Sequence, residues 1–262
     1  VLRIRLAALL LVLAGLTTAC DDQSAFAERS FLLGQSRVKY RVYLPPGYTR
    51  LRRWPVILFL HGSGERGNDN LRQIAVGLGD AAREFPQRYR CIIVFPQARF
   101  GEEWYGETEV EAMAALHQAI IEFHGDRRRI YLTGVSMGGA GAWYMARHPR
   151  LFAAVVPVCG EVVRQPDDPF PSEPPPDLQA LLGAPDPYAA LAEAIGTTPV
   201  WAFHGTDDPV IPVTESRRMF QALKAAGGNA RFTEYPDSGH EVWLRAYADP
   251  ALPAWLLEQR LP

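Results

Sequence analysis

The chain predicts an α/β domain with a mostly parallel sheet, and three observations carry that reading. Short strand patterns alternate with helix patterns along the chain, as parallel strands joined by right-handed helical crossovers require. The runs at 55–60 and 91–96 are apolar almost throughout, as expected of strands covered on both faces. A third strand run, 129–133, leads directly through Gly134-Val135-Ser136-Met137-Gly138 into a helical segment that stops at Pro149.

That G-x-S-x-G stretch is the most informative feature. Between a strand and a helix it forms a turn so tight that the flanking positions must lack side chains. The serine takes a strained backbone and projects its hydroxyl into the open. Such a turn presents a nucleophile.

The remaining elements follow in order. Strand candidates at 30–35 and 38–44 open the body, the second alternating Val38, Tyr40, Val42 and Leu44 against Lys39, Arg41 and Tyr43. Pro45-Pro46-Gly47 ends it. Residues 70–77 give a weak helix pattern. Thr108-Glu109-Val110-Glu111 reads as a capping box opening a helix to about His124, with Val110, Met113, Leu116, Ile120 and Phe123 as its apolar stripe. A buried strand is expected at 153–159 and another strand at 200–203. Thr214 is placed to cap a helix over 215–226, Gly227-Gly228 ends it, and a last strand at 231–235 precedes a helix-rich tail. Segment 161–187 holds eight prolines and reads as an insertion over the carboxyl edge of the sheet, because the strand pattern resumes behind it.

Composition narrows the class. The net charge of -2 comes from scattered charges, not the basic stripe of a nucleic-acid surface. The first 27 residues read as a leader and tether, leaving 28–262 as one domain. Arg3 and Arg5 precede an apolar run at 6–16, followed by small residues. Thr17-Thr18-Ala19-Cys20 resembles a lipobox in which Cys20 is lipidated; Ala25-Phe26-Ala27 is a competing ordinary cleavage site. The position of Cys20 immediately after the apolar run puts the lipoprotein reading ahead. Either way export is expected, with membrane contact only through the lipid. No later run is long enough to span a bilayer.

A serine hydroxyl needs a base, and the base needs an orienting acid. Beside such an elbow these partners follow in chain order Ser, acid, His, each in a loop after a strand. His240 alone follows both serine and acid, in the loop after the last strand. His117 and His124 fall on a helix surface, His148 closes the elbow helix, and His61 and His204 precede glycines at strand ends, where they shape loops. Asp208 is preferred to Asp207 because Pro209-Val210-Ile211-Pro212 fixes a turn right behind it. Asp237 is too close to His240 along its own loop. The oxyanion donors expected are the N–H groups of Met137, at the helix start, and Ser63, after His61-Gly62, with Gly64 second. Trp104, Trp243 and Arg66 are candidates for substrate contact, Arg66 alternatively pairing with Glu65. The chemistry calls for no cofactor and no metal.

His61-Gly62-Ser63-Gly64-Glu65-Arg66-Gly67-Asn68-Asp69-Asn70 resembles the HGxGERGxDN segment of a bacterial α/β-hydrolase group of predicted peptidases and carboxylesterases. That group is related to dienelactone hydrolases and to the catalytic domain of prolyl oligopeptidases. The stretches at 130–139, 201–205 and 235–240, together with Phe95-Pro96-Gln97 and Trp255-Leu256-Leu257, extend the likeness over nearly the whole body. The resemblance implies an eight-stranded α/β-hydrolase sheet in the order 1-2-4-3-5-6-7-8, and a triad of Ser136, Asp208 and His240. In that order two strands separate Cys91 from Cys159, roughly 14 Å at about 4.8 Å per strand, so two free buried thiols are expected. The function expected is an exported serine esterase acting on a small-molecule ester. A serine peptidase of the prolyl oligopeptidase type and a non-catalytic binding protein are the alternatives. Peptidase relatives carry a further substrate-selecting domain for which the body has too few residues, and dienelactone hydrolase proper uses a cysteine nucleophile.

Overall fold

The computed structural model describes residues 25–148, 150–164 and 173–262. Cys20, the leader and part of the Pro-rich segment lie outside the described residues.

Eight strands form one sheet in the order β1-β2-β4-β3-β5-β6-β7-β8. Strands β1 (Phe26–Leu33) and β2 (Ser36–Tyr43) make an antiparallel hairpin, with Phe26 opposite Tyr43 and Leu33 opposite Ser36. β2 also runs antiparallel to β4 (Ile92–Pro96). Every other pairing is parallel, through β3 (Trp54–Leu60), β5 (Gly125–Val135), β6 (Ala154–Val158), β7 (Val200–Gly205) and β8 (Ala230–Tyr235). β3, β4 and β6 are buried at every position because helices cover both faces. Two hydrophobic layers result, one around Leu58, Leu132 and Trp143, the other around Phe59, Tyr131 and Phe203. This is the α/β-hydrolase fold. Cys91 and Cys159 are free and buried, with β3 and β5 between the strands they flank.

β1 starts at Phe26, two residues ahead of the expected domain boundary. Phe26 is 1% exposed and packs on Tyr43 and Phe95. The Leu44 N–H donates to the Ala25 carbonyl at 3.3 Å. The A-x-A stretch is therefore part of the sheet edge.

Helices differ from expectation in four places. Residues 70–77 hold only a 3₁₀ turn, Arg72–Ile74, because Asp69 Oδ1 accepts the N–H groups of Leu71 and Arg72 and closes a local turn. Helix α1 (Leu78–Glu84) begins afterwards, past Gly77 at φ 60. Helix α2 (Glu107–Glu122) has no side-chain cap; Thr108 lies buried inside its first turn. Its inner face is Ala112, Ala115, Leu116, Ala119 and Ile120, while Val110 is 56% exposed. The rotation follows from Glu109, which turns inward to a bidentate pair with Arg147 at 3.1 and 3.2 Å. Thr214 is likewise the first residue of its helix, α6 (Thr214–Ala225), not its cap.

Helix α3 (Met137–Met145) follows the elbow. In the Pro-rich segment, α4 (Pro176–Leu182) and α5 (Pro187–Ile195) each start on a proline, where the missing N–H costs nothing. Helices α7 (Trp243–Ala248) and α8 (Ala251–Glu258) close the chain.

Candidate active site

Ser136 joins β5 to α3 at φ 55 and ψ −118. A Cβ on Gly134 would lie 2.2 Å from the Gly138 carbonyl oxygen, and one on Gly138 only 2.0 Å from that of Leu60. The two glycines let the turn close and let α3 approach β3. The Ser136 N–H donates to the Val158 carbonyl at 3.0 Å, tying the elbow to β6.

Loops after β7 and β8 bring two further side chains to the same edge. His240 Nε2 lies 2.8 Å from Ser136 Oγ, and its Nδ1 lies 2.8 Å from Asp208 Oδ2. With the carboxylate ionised, Nδ1 carries the proton and Nε2 is free to accept from the serine hydroxyl. Asp208 Oδ1 accepts the N–H groups of Val210 and Ile211, both at 2.9 Å. His204 Nε2 stands 3.2 Å from Asp208 Oδ2 and 2.9 Å from the Ile211 carbonyl; both are acceptors, so this nitrogen is protonated. His204 Nδ1 then accepts from Ser216 Oγ at 2.7 Å. Burial by itself would raise the Asp208 pKa, but hydrogen bonds from His204, His240 and the two amides pull it well below the usual carboxylate range. Asp208 is thus held as an anion beneath the imidazole. Asp207 and Asp237 are both exposed.

The loop after β3 passes beside the serine, for a Cβ on Gly62 would lie 3.7 Å from Ser136 Cβ. His61 sets its backbone. The Ala98 N–H donates to His61 Nε2 at 3.0 Å, so Nδ1 bears the proton and donates to the Gly62 carbonyl at 2.6 Å. The Glu65 N–H reaches the same oxygen at 3.3 Å. In a trans peptide the C=O and the following N–H point opposite ways. Pinning the Gly62 carbonyl therefore fixes the Ser63 N–H on the other side of that plane. Met137, the first residue of α3, has an N–H without an intrahelical acceptor.

Burial lowers the His61 pKa from 6.5 to about 4. Between these values the unfolded chain binds a proton that the folded chain refuses. Stability is therefore expected to fall as pH drops from 6.5 to 4, by on the order of 3 kcal/mol from this group. Urea unfolding at both ends of that window measures it. His61→Gln should be less stable at neutral pH and lose less on acidification; an undiminished loss would contradict the assignment.

Two candidate contacts are corrected. Trp104 is 1% exposed, and its indole N–H donates to the His61 carbonyl at 2.9 Å with the ring edge-on to His61. It braces the loop. Arg66 does not pair with Glu65: it donates to the Glu102 carbonyl at 2.6 Å and forms an ion pair with Glu103. Arg164 meets the same Glu103 carboxylate at 2.6 Å. The Arg66 guanidinium is thus engaged within the protein and not presented to a substrate anion. Trp243 is half-buried beside His240, ring centroids 5.6 Å apart and nearly perpendicular. Cys159, expected only as a free buried thiol, follows β6 at φ 41 behind the elbow.

A family model of the prolyl oligopeptidase family matches residues 98–256, more than half of the chain. The chain belongs to that family. It is 30% identical over 155 residues to a putative carboxymethylenebutenolidase of Methylorubrum extorquens, covering 56% of this chain and 48% of the relative. A protein of the same description from Salmonella typhimurium is 32% identical over 117 residues, 44% of this chain and 37% of the relative. The chain thus spans half or less of the curated relatives it matches. Among solved structures, a thermostable esterase superposes with TM-score 0.73 at 27% identity, over 90% of this chain and 64% of that one. A dienelactone hydrolase from Klebsiella pneumoniae, described as putative, shares the fold at TM-score 0.63 and 16% identity, over 89% and 98% of the two chains. These likenesses place this family member among α/β-hydrolases related to both dienelactone hydrolases and prolyl oligopeptidases.

Proposed function

We propose that this chain is a serine hydrolase that cleaves carboxylic esters through an acyl-enzyme. The observation that carries the proposal is the continuous hydrogen-bond chain from Ser136 Oγ through His240 to Asp208. As Oγ attacks the ester carbonyl carbon, His240 Nε2 takes its proton, and Asp208 stabilises the imidazolium. The carbonyl oxygen becomes an oxyanion, received by the N–H groups of Met137 and Ser63. Collapse breaks the C–O bond, and His240 returns the proton to the leaving alcohol. Water, deprotonated by the same nitrogen, then attacks the acyl group and releases the acid and Ser136. Esters are favoured over peptides by the 27% identity to the thermostable esterase.

The reaction needs neutral imidazole. Hydrolysis of short-chain p-nitrophenyl esters should therefore decline on acidification. The sign follows from the role: protonated His240 cannot accept the serine proton. A kcat/KM profile that stays flat to about pH 4 would remove histidine as the base.

A further inference from the structure

The side of the triad away from solvent carries a ligand that ester hydrolysis does not use. The Cys159 sulfur, an Asp208 carboxylate oxygen and a His240 ring nitrogen lie within 4.8 Å of one another. The Asp208 side chain has no exposure, and His240 retains a little, so the approach is from the imidazole side. Cys159 is held in place by its N–H, which donates to the Phe203 carbonyl at 2.8 Å. Behind it, a Cβ on Gly160 would lie 2.2 Å from the Gly139 carbonyl carbon, so this backbone has no room to withdraw.

We propose that Cys159, Asp208 and His240 form an inhibitory site for a thiophilic divalent cation of the Zn²⁺ class. Thiolate, carboxylate and imidazole are a donor set that zinc accepts in tetrahedral geometry, whereas Mg²⁺ prefers oxygen donors and retains its water. Bond lengths of about 2.0–2.3 Å place tetrahedral neighbours roughly 3.6 Å apart. His240 Nδ1 and Asp208 Oδ2, now 2.8 Å apart, therefore open slightly while the Cys159 sulfur, within 4.8 Å of them, moves in on the ion, movements open to rotamer adjustment of His240. The charge closes too. The thiol releases one proton to solvent, and the dication meets one thiolate and one carboxylate, leaving a neutral buried complex.

Inhibition follows from the imidazole tautomer, and in this respect the inference rests on the proposed hydrolase reading. A metal on Nδ1 uses that lone pair, so the ring proton moves to Nε2. Nε2 then donates to Ser136 Oγ where catalysis needs it to accept. The cation and the general base compete for one ring.

Co²⁺, a spectroscopic stand-in for Zn²⁺, separates binding from activity. Added to the wild-type protein it should produce a thiolate-to-metal charge-transfer band. The band should be lost in Cys159→Ala and Cys159→Ser and kept in Cys91→Ala. Zn²⁺ should bleach the band and suppress ester hydrolysis, EDTA should restore the rate, and Mg²⁺ should do neither. Against each variant's own metal-free rate, the Zn²⁺ needed for half-inhibition should rise by about tenfold or more when Cys159 is replaced. A band absent from the wild type, or persisting in folded Cys159 variants, overturns the site. A band that depends on Cys159 alongside Zn²⁺-insensitive hydrolysis overturns the inhibitory role. Absence of hydrolysis in metal-free wild type would instead count against the proposed function, and the Co²⁺ band would still decide whether the cation site exists.

Discussion

Ser136→Ala is expected to lower kcat/KM for short-chain esters by about 10⁴-fold or more, roughly 5.5 kcal/mol of transition-state stabilisation. The loss is large because Oγ is the atom that bonds to the acyl group, and no neighbouring hydroxyl or thiol takes that place. Cys159 is the nearest alternative nucleophile by chemistry, but it is fully buried behind the elbow. The fold should hardly notice. Alanine meets the same backbone strain at φ 55, and the released His240 nitrogen stays in reach of water. Thermal melting should therefore remain within a few degrees of wild type, which makes the kinetic loss interpretable. Activity within about tenfold of wild type would assign the nucleophile elsewhere.

Gly138→Ala should have the largest effect on stability. Its Cβ would lie 2.0 Å from the Leu60 oxygen, 2.5 Å from the Leu60 carbonyl carbon and 2.7 Å from the His61 oxygen. All three are backbone atoms at the end of the buried strand β3, so no side chain can rotate out of the way. Relief requires α3 to back off the sheet, and a loss of about 3–5 kcal/mol, or failure to fold, is expected. Gly64→Ala is the matched control in the adjoining loop, where nothing lies within 4 Å of an added methyl and no positive φ is required. It should stay within about 0.5 kcal/mol of wild type. Urea midpoints for the pair measure the contrast. A Gly138→Ala midpoint close to that of Gly64→Ala would contradict the close packing of elbow on strand.

What could be read in the sequence was what local pattern determines. Strands buried on both faces appear as unbroken apolar runs, as at β3 and β4, and a turn that forbids side chains shows as paired glycines around Ser136. The sites of Asp208 and His240 were legible because each falls just past a strand, and strand ends share one edge of a parallel sheet. What could not be read depends on partners distant in sequence. Arg66 finds Glu103, and Trp104 turns its indole N–H to the His61 carbonyl. Both side chains look equally suited to a substrate until those partners are known. The inner face of α2 was misjudged at Val110 for the same reason: Glu109 is drawn inward by Arg147 on the far side of the elbow helix. Prolines at 176 and 187 gave no helix signal within the expected insertion, yet each stands at a first helical position, where proline is tolerated.

The most direct test is covalent labelling of the native protein with a fluorophosphonate, followed by peptide mass spectrometry. Attack on phosphorus needs the same oxygen, the same base and the same donors as attack on an ester. One adduct is expected, on Ser136, with labelling abolished in His240→Ala. No adduct, an adduct on another residue, or labelling undiminished in His240→Ala would contradict it.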